Sequence, residues 1–94
     1  MLQDKVSMEK LDKYQAISEK ALSMAKKNIA RNKQKQALEI IKMVECYLQD
    51  SIYFKKTKNL VNSFAAINYA HGWLDTGVRL GIFNVKDSRL FVVK

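Results

Sequence analysis

The sequence has no proline, one cysteine, one histidine and one tryptophan among its 94 residues, and these scarcities exclude several kinds of site. With Cys46 alone, the chain forms no internal disulfide and no cysteine-based metal site, which suits a reducing compartment. With His71 alone, the three or four ligands of a zinc site are missing. No spacing links Cys46 to His71 as nucleophile and base, and Cys46 is expected to be a half-buried small hydrophobic residue. We therefore predict no metal, no cofactor and no catalytic residue.

A long apolar run is also missing. The sequence has no stretch of about 18 apolar residues, so no membrane span is predicted. The first ten residues, MLQDKVSMEK, are charged rather than apolar, and no signal peptide is expected. Residues 1–94 have the length of one domain. Together these features predict a single-domain cytoplasmic protein.

The sequence does contain three segments with the apolar periodicity of helices. A content of 48% hydrophobic residues without proline favours helix over sheet. Apolar side chains recurring at steps of three and four predict helices over about residues 4–30, 34–56 and 60–80. The short turns between them require an up, down and up order. The predicted fold is all-α, a three-helix up-and-down bundle with a short apolar C-terminal tail.

Residues with capping chemistry flank the predicted helices. Asp4 or Ser7 is expected to cap the start of the first helix, and Asn59 the start of the third. Gly81 is expected to end the third helix. Residues 90–93, LFVV, form the apolar tail, which we expect to fold back onto the bundle or to pair with a second copy.

The third predicted helix is apolar or small nearly all round, so we expect it to be central. Glycine inside a helix costs about 1 kcal/mol relative to alanine. Gly72 and Gly77 therefore suggest close approach of another helix backbone. The third helix has more apolar surface than two amphipathic helices would cover, which indicates a self-complementary interface. The interface candidates are Trp73, Gly77, Leu90 and Phe91. The alternative is that the tail and the first helix cover this surface completely.

A second group of candidates is polar and lies on the second and third helices. Asp75 and Arg79 have the i, i+4 spacing at which a carboxylate and a guanidinium meet. A functional cluster here would hold a small anion. A structural cluster would instead be a paired, buried network that fixes helix register, and we favour that interpretation. The cluster consists of Tyr47, Asp50, Asn68, His71, Asp75 and Arg79.

The charge is strongly positive, with 17 Lys and Arg against nine Asp and Glu and a net charge of +8. A basic group without an acidic residue falls at the first helix corner. It consists of Lys26, Lys27, Arg31, Lys33 and Lys35. Such a group could contact the phosphate backbone of RNA or DNA. No aromatic residue is interleaved with it for base stacking and no recognition motif is present, so a solvated lysine surface is the favoured alternative.

Three segments resemble a known family. They are YLQDSIYF (residues 47–54), NSFAAINYAHGWLDTGVRLGIFNV (residues 62–85) and the LFVV tail. They are similar to the archaeal family called domain of unknown function 357, and its Tyr-Ala-X-Gly-Trp-Leu-Asp core matches residues 69–75. The family has a Gly-Asp turn before its third helix, where this chain has Lys58 and Asn59. The resemblance implies a three-helix up-and-down bundle and no assigned activity.

These observations favour a non-enzymatic binding or scaffolding module that joins a protein partner or a second copy of itself. The first alternative is an RNA- or DNA-binding accessory protein that uses the basic corner. A weaker alternative is a small-anion-binding or enzymatic pocket around Asp75 and Arg79.

Overall fold

A computed structural model of the chain describes residues 6–87 and contains three helices, α1 (Met8–Lys26), α2 (Gln34–Lys56) and α3 (Leu60–Arg79). No β-strand occurs among these residues, which confirms the all-α prediction. The bounds of α2 and α3 agree with the sequence prediction to within one residue, whereas α1 is shorter at both ends. Asp4 and the apolar tail lie outside the described residues.

Side-chain and backbone caps fix the ends of α1 and α3. The Ser7 hydroxyl accepts a hydrogen bond from the Lys10 backbone N–H at 3.1 Å, as expected of a helix N-cap. Asn59 occupies the N-cap position of α3, but its side chain makes no capping hydrogen bond, so that expectation was wrong. Gly81 ends α3 in the left-handed region, at φ 76°, and the Ile82 N–H donates to the Gly77 carbonyl at 2.8 Å. This bond belongs to the Schellman motif, which confirms the expected glycine cap.

The end of α2 has the same motif without glycine. The Asn59 N–H donates to the Phe54 carbonyl at 2.8 Å, and the Lys58 N–H donates to the Lys55 carbonyl at 3.1 Å. Lys58 therefore takes the left-handed position, with φ 65°. A side chain in this region costs about 1–2 kcal/mol. The turn between α2 and α3 stores that strain.

Replacing Lys58 with glycine is expected to stabilise the protein. Glycine removes the left-handed strain but adds entropy to the unfolded chain, which leaves a gain of about 0.5–1 kcal/mol. Thermal unfolding should shift upward by about 3–6 °C. Thr57→Gly is the matched control, because Thr57 has φ −89° and gains nothing from glycine. A Lys58→Gly variant no more stable than the wild type would contradict the strain argument.

Contacts between the helices give the up, down and up order. Lys55 at the end of α2 donates to Asp12 near the start of α1, Nζ to Oδ1, at 2.7 Å. Lys26 at the end of α1 donates to Glu45 Oε2 at 2.8 Å. The Ser63 hydroxyl at the start of α3 donates to the Ser51 carbonyl near the end of α2, at 2.8 Å. Helix α2 therefore runs antiparallel to both of its neighbours, which confirms the predicted topology.

Helix α3 is the central element, because it packs most extensively against α2 and then against α1, while α1 and α2 touch least. Its buried residues lie on one face, as the periodicity predicted. They are Ser63, Ala66, Ile67, Ala70, Leu74 and Gly77. The face of α2 that meets them is equally regular. It consists of Ala37, Ile40, Ile41, Val44, Leu48 and Ser51.

The chain beyond α3 completes the core. Ile29 and Phe83 form an isolated antiparallel β-bridge, flanked by hydrogen bonds from Ala30 N–H to the Ile82 carbonyl at 2.9 Å and from Asn84 N–H to the Asn28 carbonyl at 2.7 Å. Residues 28–30 are therefore extended, and the prediction that the first helix continues to residue 30 was wrong. Phe83 is 1% exposed and joins the main hydrophobic cluster.

Among the described residues, no helix is both long and apolar enough to cross a bilayer.

Candidate functional site

Three polar residues of α3 lie at a cavity of about 440 Å³ between α3 and α1. Its described lining mixes apolar and polar residues. They are Tyr14, Ile17, Ser18, Ile67, Asn68, His71, Gly72 and Asp75. The α3 members recur at steps of three and four, which places them on one side of the helix. The helical period thus brings three of the predicted polar residues, Asn68, His71 and Asp75, to one site.

His71 connects the two helices at this cavity. The Ser18 hydroxyl lies 3.3 Å from His71 Nδ1, and Ser18 is only 2% exposed. On the other edge of the ring, His71 Nε2 lies 3.8 Å from Asp75 Oδ1. The His71 and Asp75 side chains are each about one quarter exposed. The imidazole is therefore held by a buried hydroxyl on one side and faces a carboxylate on the other.

The remaining members of the predicted polar cluster lie elsewhere. Tyr47 packs its ring on Tyr69 at 5.5 Å, and Asp50 is exposed. Arg79 is exposed in the last turn of α3, whereas Asp75 lies at the cavity between α3 and α1. Their pairing stays a prediction. Whether the cluster is functional or structural stays a prediction.

The solvent side of α3 carries a row of mostly apolar or small residues. We call the outer face the exposed or half-buried row of Val61, Ala65, Tyr69, Gly72, Trp73, Thr76 and Leu80. Val61, Tyr69 and Leu80 are 65%, 62% and 66% exposed, and Trp73 is 38% exposed. Isolated exposed hydrophobic residues are ordinary, whereas a contiguous row is typical of an interaction surface.

Of the predicted interface residues, Trp73 belongs to the outer face and Gly77 does not. Gly77 is buried, and a Cβ placed on it would lie 2.5 Å from the Phe83 ring. A Cβ on Gly72 would meet nothing within 4 Å. The prediction that another helix backbone approaches these glycines was therefore wrong, because a ring packs on Gly77 and open space surrounds Gly72. Leu90 and Phe91 lie outside the described residues.

The basic corner is more mixed in charge than its sequence indicates. Lys26 forms an ion pair with Glu45 of α2, and both side chains are about half exposed. Lys27, Arg31 and Lys35 are exposed, while Lys33 is half-buried at the N-cap of α2. The bridge between Ile29 and Phe83 brings the segment with Lys86 toward the same corner. A nucleic-acid interface here stays a prediction.

Cys46 is exposed, which corrects its expected half-buried position. It lies in a shallow groove between α1 and α2, beside Glu45 and Gln49. In the described part of the chain, no three His, Cys, Asp or Glu side chains are grouped as they would be around a metal ion.

The sequence analysis did not predict that residues of α1 would line the cavity. Tyr14 and Ile17 were assigned to the apolar stripe of the first helix, and Ser18 was given no role. The one available signal is that Ser18 stands four residues after Tyr14, at a buried position of that stripe. A serine there needs a hydrogen-bond partner, since buried hydroxyl groups are seldom left unsatisfied.

Comparison with known proteins gives a family and no activity. No curated protein and no solved structure matches the chain. A family model described as "Protein of unknown function (DUF357)" matches residues 13–83, which include most of α1 and the whole of α2, α3 and the segment up to Phe83. Since this match spans well over half of the sequence, the chain belongs to the DUF357 family.

Proposed function

We propose that this protein is a cytoplasmic, non-enzymatic binding module that associates with a second copy of itself through the outer face of α3. The observation that carries the proposal is the contiguous exposure of Val61, Tyr69, Trp73 and Leu80 along one helix. Burying such a row contributes roughly 25 cal/mol for each Å² of apolar surface removed from water.

The outer face is complementary to itself in an antiparallel arrangement. Two copies of α3 related by a two-fold axis near the middle of the helix would place Val61 against Leu80 and Ala65 against Thr76. Tyr69 would then lie over Gly72, where there is open space within 4 Å of a Cβ position. The large Tyr69 would thus meet the smallest residue, and each pair would occur twice, as a closed two-fold interface requires.

Charge supports the same arrangement. The chain carries a net charge of +8, so two copies repel each other over most of their surface. The outer face has no charged residue between Val61 and Thr76, and Arg79 lies at one end. An antiparallel arrangement would separate the two Arg79 side chains by about 25 Å, well beyond the Debye length of about 8 Å at physiological salt.

The test is the oligomeric state of the purified chain over a range of concentrations. We expect sedimentation equilibrium to show a dimer, and the emission of Trp73, the sole tryptophan, to shift to shorter wavelength as it forms. Higher salt should strengthen the dimer because it screens repulsion. Tyr69→Glu places two charges at the centre of the interface and should raise the dissociation constant at least about tenfold.

Leu38→Glu is the matched control, because Leu38 is 61% exposed on α2 and lies outside the outer face. It should leave dimerisation unchanged. A chain that remains monomeric to millimolar concentration, or a Leu38→Glu effect as large as that of Tyr69→Glu, would overturn the proposal.

Nucleic-acid binding is the second candidate, supported by the exposed Lys27, Arg31 and Lys35 at one corner. It ranks second because Lys26 is already paired with Glu45. The two functions respond to salt in opposite directions. Phosphate binding would weaken steeply as salt rises, whereas self-association would strengthen.

A further inference from the structure

The cavity between α1 and α3 has the walls and the polar edge of a binding site for a neutral planar molecule. We propose that it binds a heterocycle of about the size of a purine base, with the ring of the ligand against Tyr14 and Ile67. A hydrogen-bond donor and an adjacent acceptor of the ligand then pair with the Asn68 amide. This site goes beyond self-association and does not depend on it.

The cavity is large enough for a purine base. Its volume is about 440 Å³, and known ligand pockets measure roughly 300–1,000 Å³. No side chain occupies the space at Gly72, where a Cβ would meet nothing within 4 Å. The glycine thus leaves one edge of the cavity open for a bicyclic ring.

The apolar walls of the cavity suit a flat ring. Tyr14, Ile17 and Ile67 provide one aromatic and two aliphatic side chains. The Tyr14 ring already contacts the Phe64 ring, with centroids 5.6 Å apart, so little side-chain entropy is lost when a ligand stacks on it. Every nucleobase can stack on an aromatic side chain, because every base has a π face. These walls therefore contribute affinity, and selectivity must come from a polar group.

Asn68 supplies that polar group. It lines the cavity from α3 and is exposed, and its side chain forms no hydrogen bond with another residue in the described part of the chain. A primary amide presents a donor and an acceptor side by side, and it pairs in a bidentate manner with the N6 and N7 atoms of adenine. Because the amide is uncharged, it selects a neutral donor and acceptor edge rather than an ion.

The other polar side chains of the lining are engaged within the protein. The Ser18 hydroxyl lies 3.3 Å from His71 Nδ1, and His71 Nε2 lies 3.8 Å from Asp75 Oδ1. Neither His71 nor Asp75 is without a partner in the folded chain. These three side chains therefore form part of the frame of the cavity, and recognition of the ligand depends on Asn68.

Two probes of nearly equal shape test this proposal: 9-methyladenine, which has an amino donor beside a ring acceptor, and 9-methylpurine, which lacks that donor. Each is titrated into the isotope-labelled protein, and the side-chain signals of Tyr14, Ile17 and Asn68 are followed by NMR. We expect saturable shifts with 9-methyladenine, with a dissociation constant on the order of 1 mM for a ligand of this size. 9-Methylpurine should bind at least about fivefold more weakly, because one of the two hydrogen bonds is missing.

Asn68→Leu should remove most of the preference for 9-methyladenine while leaving binding of 9-methylpurine nearly unchanged. Asn62→Leu is the matched control, since Asn62 is also exposed on α3 but does not line the cavity. Equal affinity of the wild type for both probes, no saturable shift with either, or an Asn62→Leu effect as large as that of Asn68→Leu would overturn the proposal. The wild-type comparison decides the matter even if Asn68→Leu impairs folding.

A free base and a base carried by RNA share this chemistry, and a third titration distinguishes the two sources. If single-stranded oligoadenylate shifts the same signals at a lower base concentration than 9-methyladenine does, and Asn68→Leu weakens that binding, the ligand is a base of RNA. If the oligonucleotide leaves the cavity signals unchanged while 9-methyladenine shifts them, the ligand is a free base or nucleoside.

Discussion

Replacing Phe83 with alanine is expected to lower the free energy of unfolding by about 3–5 kcal/mol, the cost of emptying a large buried aromatic position. Phe83 is 1% exposed and packs on Gly77 and the main hydrophobic cluster. A chain of this length has a total stability of roughly 5–14 kcal/mol, so much of it would be lost. Thermal or urea unfolding measures the change, and the midpoint temperature should fall by more than about 10 °C.

Tyr53→Ala is the control for this prediction, because it truncates an aromatic side chain that is 63% exposed. Its effect should stay within about 0.5 kcal/mol. If Phe83→Ala were as mild as Tyr53→Ala, the segment after α3 would not belong to the core. That outcome would also mean that pairing with Phe83 does not explain why α1 ends before residues 28–30.

Replacing Gly77 with alanine is expected to destabilise the protein by about 1–3 kcal/mol, although alanine normally favours a helix interior. The new Cβ would lie 2.5 Å from Phe83 Cε2 and 3.3 Å from Ile40 Cδ1. Because the Phe83 ring is fully enclosed, it has little room to move away. The clash therefore outweighs the gain in helix propensity. Denaturant unfolding of the folded variant measures the difference.

Gly72→Ala is the matched control within the same helix. Its Cβ meets nothing within 4 Å, so only the propensity gain of about 0.5–1 kcal/mol remains. The two Gly→Ala substitutions should therefore have opposite signs. A second test of the clash is Phe83→Leu in the Gly77→Ala background, where the shorter side chain should recover part of the stability. Equal effects at Gly72 and Gly77 would contradict the steric explanation.

The sequence was sufficient to predict the three helices, because the buried residues of each helix recur at steps of three and four without a break. Val44, Leu48 and Ser51 on α2 follow this period, and so do Ala70 and Leu74 on α3. The end of α1 was not predictable in this way. Residues 28–30 are extended because Phe83, more than fifty residues later, pairs with Ile29, and local periodicity carries no information on such a distant contact.

The candidate site was predicted in part for the same reason. Asn68, Gly72 and Asp75 were expected on one side of α3 together with Arg79, and the structure places the first three at the cavity with His71, but not Arg79. The neighbouring helix was chosen wrongly, because periodicity does not specify which element a polar face meets. Tyr14 and Ser18 of α1 lie at the cavity, while Tyr47 of α2 packs on Tyr69.

The hydrogen bond from the Ser63 hydroxyl to the Ser51 carbonyl favours one alignment of α2 and α3 along their axes. Both residues are fully buried, and the Ser51 hydroxyl itself donates to the Leu48 carbonyl at 2.8 Å. Two helices that pack through Ala, Ile and Leu alone can slide past each other by one helical turn of about 5.4 Å, since apolar contacts are not directional. A slide would leave the Ser63 hydroxyl buried without its acceptor, at a cost of about 1–3 kcal/mol. The Ser63 hydroxyl thus distinguishes the native alignment from its nearest competitors.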